Sequence, residues 1–311
     1  SMKQLAPSLH MLEIFMPAVT DENFFVQKIL PDVAKIPFYT GIELPVIFKK
    51  ENQKLVRRIV EDRDYQLTIW ASPNINEKGD NLSALDPEER RRAVAYVKEL
   101  LAEAAESGAY HVGLPSGPDV SPEKREDAKK ALFESFCEIS QEASKYQNMH
   151  LTLEPLDRYV HKKQLMGPIH EVIDWFEGLK KECPNFYIHW DSAHEALAEI
   201  DLEESMKRAL PYMAQFHICN CVTDPSNPCY GDWHMELGNA PEYKNWGYLD
   251  LQGAAKMLRT AAEAETPAGI RDVHVGVEVR THMGDDLWKR EGEIRSFLQA
   301  AFDEAGLIYN K

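Results

Sequence analysis

Short apolar runs alternate with amphipathic helical stretches along the whole chain, and no other feature restricts the possible folds as strongly. Eight runs read as strands: Leu9–Met16, Gly41–Ile47, Gln66–Ser72, Tyr110–Leu114, His150–Pro155, Phe186–Asp191, Met213–Asn220 and Asp272–Val279. The stretches between them carry helix-start signals. Asp86-Pro87-Glu88-Glu89 and Ser121-Pro122-Glu123 each place a capping side chain, a proline at the first helical position and acids at the positive helix end. Asp201 with Glu204 has the spacing of a capping box. After Asp86, Val94, Val97, Leu101 and Ala104 form one apolar stripe, as expected of a helix that covers a sheet. Parallel strands need helical crossovers, and eight strand-then-helix units with no Gly/Ser-rich or Pro-rich linker between them predict one closed (β/α)8 barrel over residues 1–311. Such a barrel uses about 250 residues, so the surplus is expected in loops at the C-terminal face, above all Val222–Tyr248.

Composition narrows the function classes. With 35 Lys+Arg against 51 Asp+Glu, the formal charge of −16 disfavours nucleic acid and anionic lipid as partners. No apolar run approaches the roughly 20 residues that span a bilayer, and there is no basic start followed by an apolar run. Five cysteines, Cys137, Cys183, Cys219, Cys221 and Cys229, are too sparse for a disulfide framework. A soluble cytoplasmic protein is expected.

Four residues suited to metal ligation stand at the ends of the last four predicted strands: Glu154, Asp191, His217 and Glu278. Their spacings of 37, 26 and 61 residues match one per successive unit, the last lengthened by the long loop. A carboxylate on a strand otherwise built of Leu, Val and Ile is costly to desolvate unless it is paired or metal-bound. Three carboxylates and one imidazole suit Mn²⁺ or Mg²⁺ and also accept Co²⁺ or Zn²⁺. Two positions earlier on the same strand faces lie Thr152, His189, Gln215 and Gly276, three of them hydrogen-bonding groups able to orient the four.

The segments LEP, WDSAH, FHICN and VEVR together resemble the xylose isomerase-like TIM barrels, a superfamily of sugar isomerases, ketose 3-epimerases, inosose dehydratases and endonuclease IV repair enzymes. The resemblance covers essentially the whole chain. It implies that Glu154, Asp191, His217 and Glu278 hold one divalent metal, and that His194 in Asp191-x-x-His194 contacts substrate. Departures are informative. Ketose 3-epimerases carry a Glu six residues after the first ligand and an Arg six after the His ligand, where this chain has Val160 and Thr223. Endonuclease IV enzymes need a further His where WASPNIN offers Trp70, although Asp232-x-His234 matches a pair that holds another zinc in them.

Other candidates keep two readings each. Asp232 and His234 bind a sugar hydroxyl or second metal, or hydrogen-bond within their loop. His111 faces the mouth or is a core histidine. Arg280 binds a substrate oxyanion or pairs with a ligand carboxylate. Trp70, Trp190, Trp233 and Trp246 stack on a sugar ring or pack in the core. Cys219 and Cys221 share the strand face of His217, but three carboxylates favour harder cations than a thiolate site would.

The expected function is a divalent-metal-dependent isomerase or epimerase of a sugar, polyol or keto-sugar, proceeding through a metal-stabilised enediolate, with Mn²⁺ as the first choice of metal. Glu154 and Glu278 remove and return the proton, and His194 binds a hydroxyl or shuttles its proton. A lyase or dehydratase using the same site is the main alternative, since HICNCV…NPCYGDWH also resembles the C-glycoside deglycosidase catalytic subunits, which act on 3-keto-glycosides with a small partner subunit. An endonuclease IV-like phosphodiesterase and a noncatalytic sugar-binding subunit are more remote. A homo-oligomer or a small partner subunit fits either enzyme reading.

Overall fold

A computed structural model of the chain describes residues 4–237 and 247–309. Among these residues nine strands form one sheet: β1 (Leu5–His10), β2 (Gly41–Pro45), β3 (Gln66–Trp70), β4 (His111–Leu114), β5 (His150–Leu153), β6 (Phe186–Asp191), β7 (Met213–Val222), β8 (Gly231–Met235) and β9 (Val273–Glu278). Strands β1 to β7 pair in sequence order and all in parallel, and β7 pairs with β9, which returns to β1. The expected eight-stranded parallel barrel is therefore closed. Strand β8 stands outside the closure, antiparallel to the end of β7, with Asn220 opposite Met235. A strand thus rises out of what the sequence presents only as a Pro- and Gly-rich loop. Residues 238–246 of that loop, with Trp246, lie outside the described residues.

The first strand is the largest correction. It runs Leu5–His10 instead of Leu9–Met16, and Met11–Ile14 form a helical turn. Met11, Leu12, Ile14 and Phe15 are all buried, and a short run that is apolar on every side reads equally well as strand or helix. Pro7 lies within β1, and its carbonyl accepts a hydrogen bond from Thr40 N at 3.0 Å. The other seven boundaries agree within about two residues, the usual scatter of strand ends.

Local chemistry sets the helices. Asp86 accepts from Glu88 N, Pro87 opens the helix Pro87–Ser107, and Val94, Val97, Leu101 and Ala104 are buried against the barrel. Asp201 accepts from Glu204 N at 2.9 Å, while Glu204 turns to Arg208 instead of completing a box. Ser121 makes no side-chain cap; Pro122–Lys124 form a 3₁₀ turn before the helix Arg125–Ala143.

Strand residues alternate between two cores. Ile42, Leu44, Leu67, Ile69, Leu151, Leu153, Phe216 and Ile218 fill the layer between barrel and helices. The axis-facing residues are unusually polar, and the Thr68 hydroxyl donates to Gln215 Oε1 across the barrel at 2.9 Å. Two glycines make room there. A Cβ on Gly113 would lie 2.2 Å from the Trp70 ring, and one on Gly276 would lie 3.0 Å from the Glu43 carboxylate and 3.4 Å from the His217 ring. Among the described residues no helix is long and apolar enough to cross a membrane.

Candidate active site

The C-terminal ends of the strands converge on one acidic, histidine-rich mouth. Asp191 ends β6, Glu278 ends β9, Glu154 follows β5 directly, and His217 lies midway along β7 because that strand continues beyond the barrel to Val222. His217 Nδ1 stands 3.9 Å from Asp191 Oδ2 and 3.8 Å from Glu278 Oε2. Ligand atoms of Glu154, Asp191 and His194 lie within 4.8 Å of one another, as do those of Asp191, Cys219 and Glu278, and those of Glu154, His189 and His217. Asp191 and His217 thus each bridge towards Glu154 on one side and Glu278 on the other. Asp191 Oδ2, His217 Nδ1 and Glu278 Oε1 are buried without a hydrogen-bond partner. Such atoms carry a desolvation cost that a shared cation would offset.

Beneath this set, His217 Nε2 meets Glu43 Oε1 at 2.7 Å. Glu43 is wholly buried on β2 and also accepts from Ser8 Oγ and Trp70 Nε1. His10 stacks on His217 at 4.7 Å, with its Nε2 3.2 Å from Glu278 Oε2. His189 meets the His217 ring edge-on at 4.1 Å. Of the residues expected to orient the ligands, His189 packs on the His217 ring, Gln215 is bonded to Thr68 instead, and the Thr152 hydroxyl has no hydrogen-bond partner; the carboxylate on β2, which was not among them, is the closest support of His217.

Above it, Nδ1 of the His194 ring lies 3.0 Å from Asp157 Oδ1, and Nε2 lies 3.4 Å from Asp232 Oδ2 and 3.8 Å from Glu154 Oε2. Asp157 is fixed in turn by the N–H groups of His161 and Lys162. His234, at a left-handed φ of 51°, sits between Asp232 Oδ2 at 3.2 Å and Glu13 Oε2 at 3.0 Å. A non-glycine residue held there is uncommon and histidine is among the types that tolerate it. Arg280 donates two hydrogen bonds to Glu13, at 2.8 and 2.9 Å. Arg280 is therefore committed to a carboxylate, but one the sequence reading did not single out.

Charge placement splits the acids. Burial raises Glu154, with Glu278 adding to it against the pull of His194, to about 7. Glu278 is equally buried but is held well below the carboxylate range by His234, His217 and His10. Burial disfavours charge on His194, yet Asp232, Asp157, Asp191 and Glu154 together raise it to about 10. The same contest raises His217 to about 10, with Glu43 and Glu278 outweighing burial. Burial pushes the Cys219 thiol up.

The mouth is a cavity of about 290 Å³ lined by Glu154, His194, Asp232, His234, Glu278, Arg280 and Trp70, with Asp191 and His217 below its floor. His111 is not among its walls. It opens the four-residue β4 at the far end of the barrel, packed on Tyr110 and His150, so the core reading of His111 replaces the mouth-facing one. Trp190 also belongs to the core, donating to Ser205 Oγ. Trp233 is 53% exposed. His10, Glu13, Glu43 and Asp157 join the site without having been expected there. Glu43 in GIELP carries the same signal as the chosen ligands, a carboxylate inside an apolar strand. His10 and Glu13 were hidden by the misplaced first strand.

A family model described as "Xylose isomerase-like TIM barrel" matches residues 32–286. The chain belongs to this family. Among solved structures it is similar to D-psicose 3-epimerase from Clostridium cellulolyticum H10, with 16% identity, a TM-score of 0.64 and coverage of 97% of this chain and 98% of that one. It is also similar to 3-keto-D-glucoside 4-epimerase from E. coli (15%, 0.63, 96% and 100%) and to an AP endonuclease of family 2 from Brucella melitensis (15%, 0.59, 92% and 96%). Identities this low carry the fold. No protein of curated function matches the chain in sequence.

Proposed function

We propose that this member of the family is a divalent-metal-dependent sugar isomerase or epimerase. The observation that carries the reading is that Glu154 and Glu278 line one small cavity while Asp191 and His217 join them from below, with three of the set holding buried, unpartnered atoms. Three carboxylates and an imidazole fit a hard or borderline cation, Mn²⁺ first. When bound, the cation would supply positive charge that stabilises negative charge developing on a carbonyl and its neighbouring hydroxyl.

The chain's own groups do the rest. Glu154 and Glu278, which both line the cavity, would take a proton from carbon and return one, Glu154 as the carboxyl that can stand in either protonation state and Glu278 as the ionised partner. His194, oriented by Asp157, presents Nε2 to the cavity side of Asp232 and Glu154, where a substrate hydroxyl would be bound. The Arg280–Glu13 pair fixes His234 at the rim. Neighbouring structures named as sugar epimerases support this reading over DNA repair, as does the net charge of −16.

The test is incubation of Mn²⁺-loaded protein with ketoses and keto-glycosides in deuterated water. The expected result is deuterium at the carbon beside the carbonyl, with the substrate skeleton retained. Release of water or an aglycone would replace isomerisation with elimination at the same site, and absence of any exchange would defeat both.

A further inference from the structure

A second chamber adjoins the mouth, and nothing in the chemistry proposed above requires it. It measures about 450 Å³, and His234 and Arg280 line both it and the mouth cavity. Ligand clefts usually run from about 300 to 1,000 Å³, so the mouth alone holds a single small ring. The far side of the Arg280 partition would then serve no part of a monosaccharide.

The chamber's walls are chemically mixed in a way that suits a sugar. Trp233 offers an indole face, half exposed although the side chain is large and apolar. That indole is not loose: Nε1 donates to Tyr230 O at 3.2 Å and the ring packs on His161 at 4.4 Å. Opposite polar character comes from Glu236, His282 and Asp285, with Asp285 held by a hydrogen bond from His282 N at 2.8 Å. A pyranose has one face of C–H groups that packs on an aromatic ring and a perimeter of hydroxyls that needs acceptors and donors. Arg280 spends Nε and Nη2 on Glu13, which leaves Nη1 outside that pair at the partition, where a linking oxygen would pass.

Resting on the isomerase reading, we propose that the substrate is a glycoside of two rings: a keto-sugar unit in the mouth and a second sugar ring in the chamber, stacked on Trp233. The probes are D-fructose and three fructoses that carry a glucosyl ring on different oxygens, turanose, maltulose and isomaltulose, titrated calorimetrically into Mn²⁺-loaded protein. At least one disaccharide should bind about tenfold or more tightly than fructose, roughly the 1.4 kcal/mol that a stacked ring supplies. Trp233→Ala should erase that advantage while fructose affinity moves less than twofold, and Trp233→Tyr should keep most of it. Equal affinity for fructose and all three disaccharides, or an advantage that survives Trp233→Ala in a protein of unchanged melting temperature, overturns the two-ring assignment and leaves the isomerase reading standing. If none of the four sugars binds, the two-ring assignment falls, and the deuterium-exchange test decides the isomerase reading separately.

Discussion

Two groups of histidines occupy opposite ends of the same barrel, and their charge states are opposed. At the N-terminal end, burial lowers His111, His150 and His274, the last to about 4, and both ring nitrogens of His111 are without a partner. At the mouth, His194 and His217 are as deeply buried but raised to about 10. Burial acts in the same direction on all five. The difference is the distance to carboxylates: Glu43 and Asp157 lie within 3.0 Å of the mouth rings, whereas His111 packs on Tyr110 and His150. One end of the axis is a polar but neutral core, and the other concentrates charge where a ligand can reach it.

The largest effect should come from breaking the acidic end. Glu154→Gln or Glu278→Gln is expected to lower kcat by about 10²–10⁴ with the fold intact, measured by steady-state kinetics beside circular dichroism. Full turnover in either variant would remove that residue from proton transfer. A smaller effect is expected one layer down. Glu43→Gln should weaken Mn²⁺ binding by about 10–100-fold through the His217 ring it contacts, as loss of an orienting group does. Unchanged affinity by calorimetry would make Glu43 a core residue only.

A different kind of effect, on stability and not on turnover or metal affinity, is expected at the neutral end. His274 has a folded-state value of about 4, below the ordinary value near 6.5, so the unfolded chain takes up its proton first as pH falls. Its contribution is complete above about pH 6.5 and is lost progressively between there and about pH 4, on the order of 3 kcal/mol. Urea melts of metal-free protein at pH 7 and 4.5 should show a drop that His274→Gln reduces. An identical drop in the variant would contradict the assignment.

Much of the site was legible because a carboxylate or imidazole within a run of Leu, Val and Ile stands out, and strand order then assigns one to each unit. Glu154, Asp191 and Glu278 each come at or just beyond a strand end, as expected. His217 does not, because β7 extends to pair with β8, a pairing between segments of no distinctive pattern. Asp157 was illegible for another reason. It lies in a connecting turn, where an acid is unremarkable until its partner is known, and His194 stands 37 residues away.

The alternation of apolar runs and helical stripes was enough to point to a closed parallel barrel, because parallel strands need helical crossovers and open doubly wound sheets usually have fewer strands than eight. It also pointed to the C-terminal strand ends as the place of the candidate site. Tertiary structure alone decided which histidines face carboxylates, that His111 belongs to the core, and that a second chamber opens beyond Arg280. Those depend on separations of a few ångströms between residues distant along the chain, and periodicity holds no information about them.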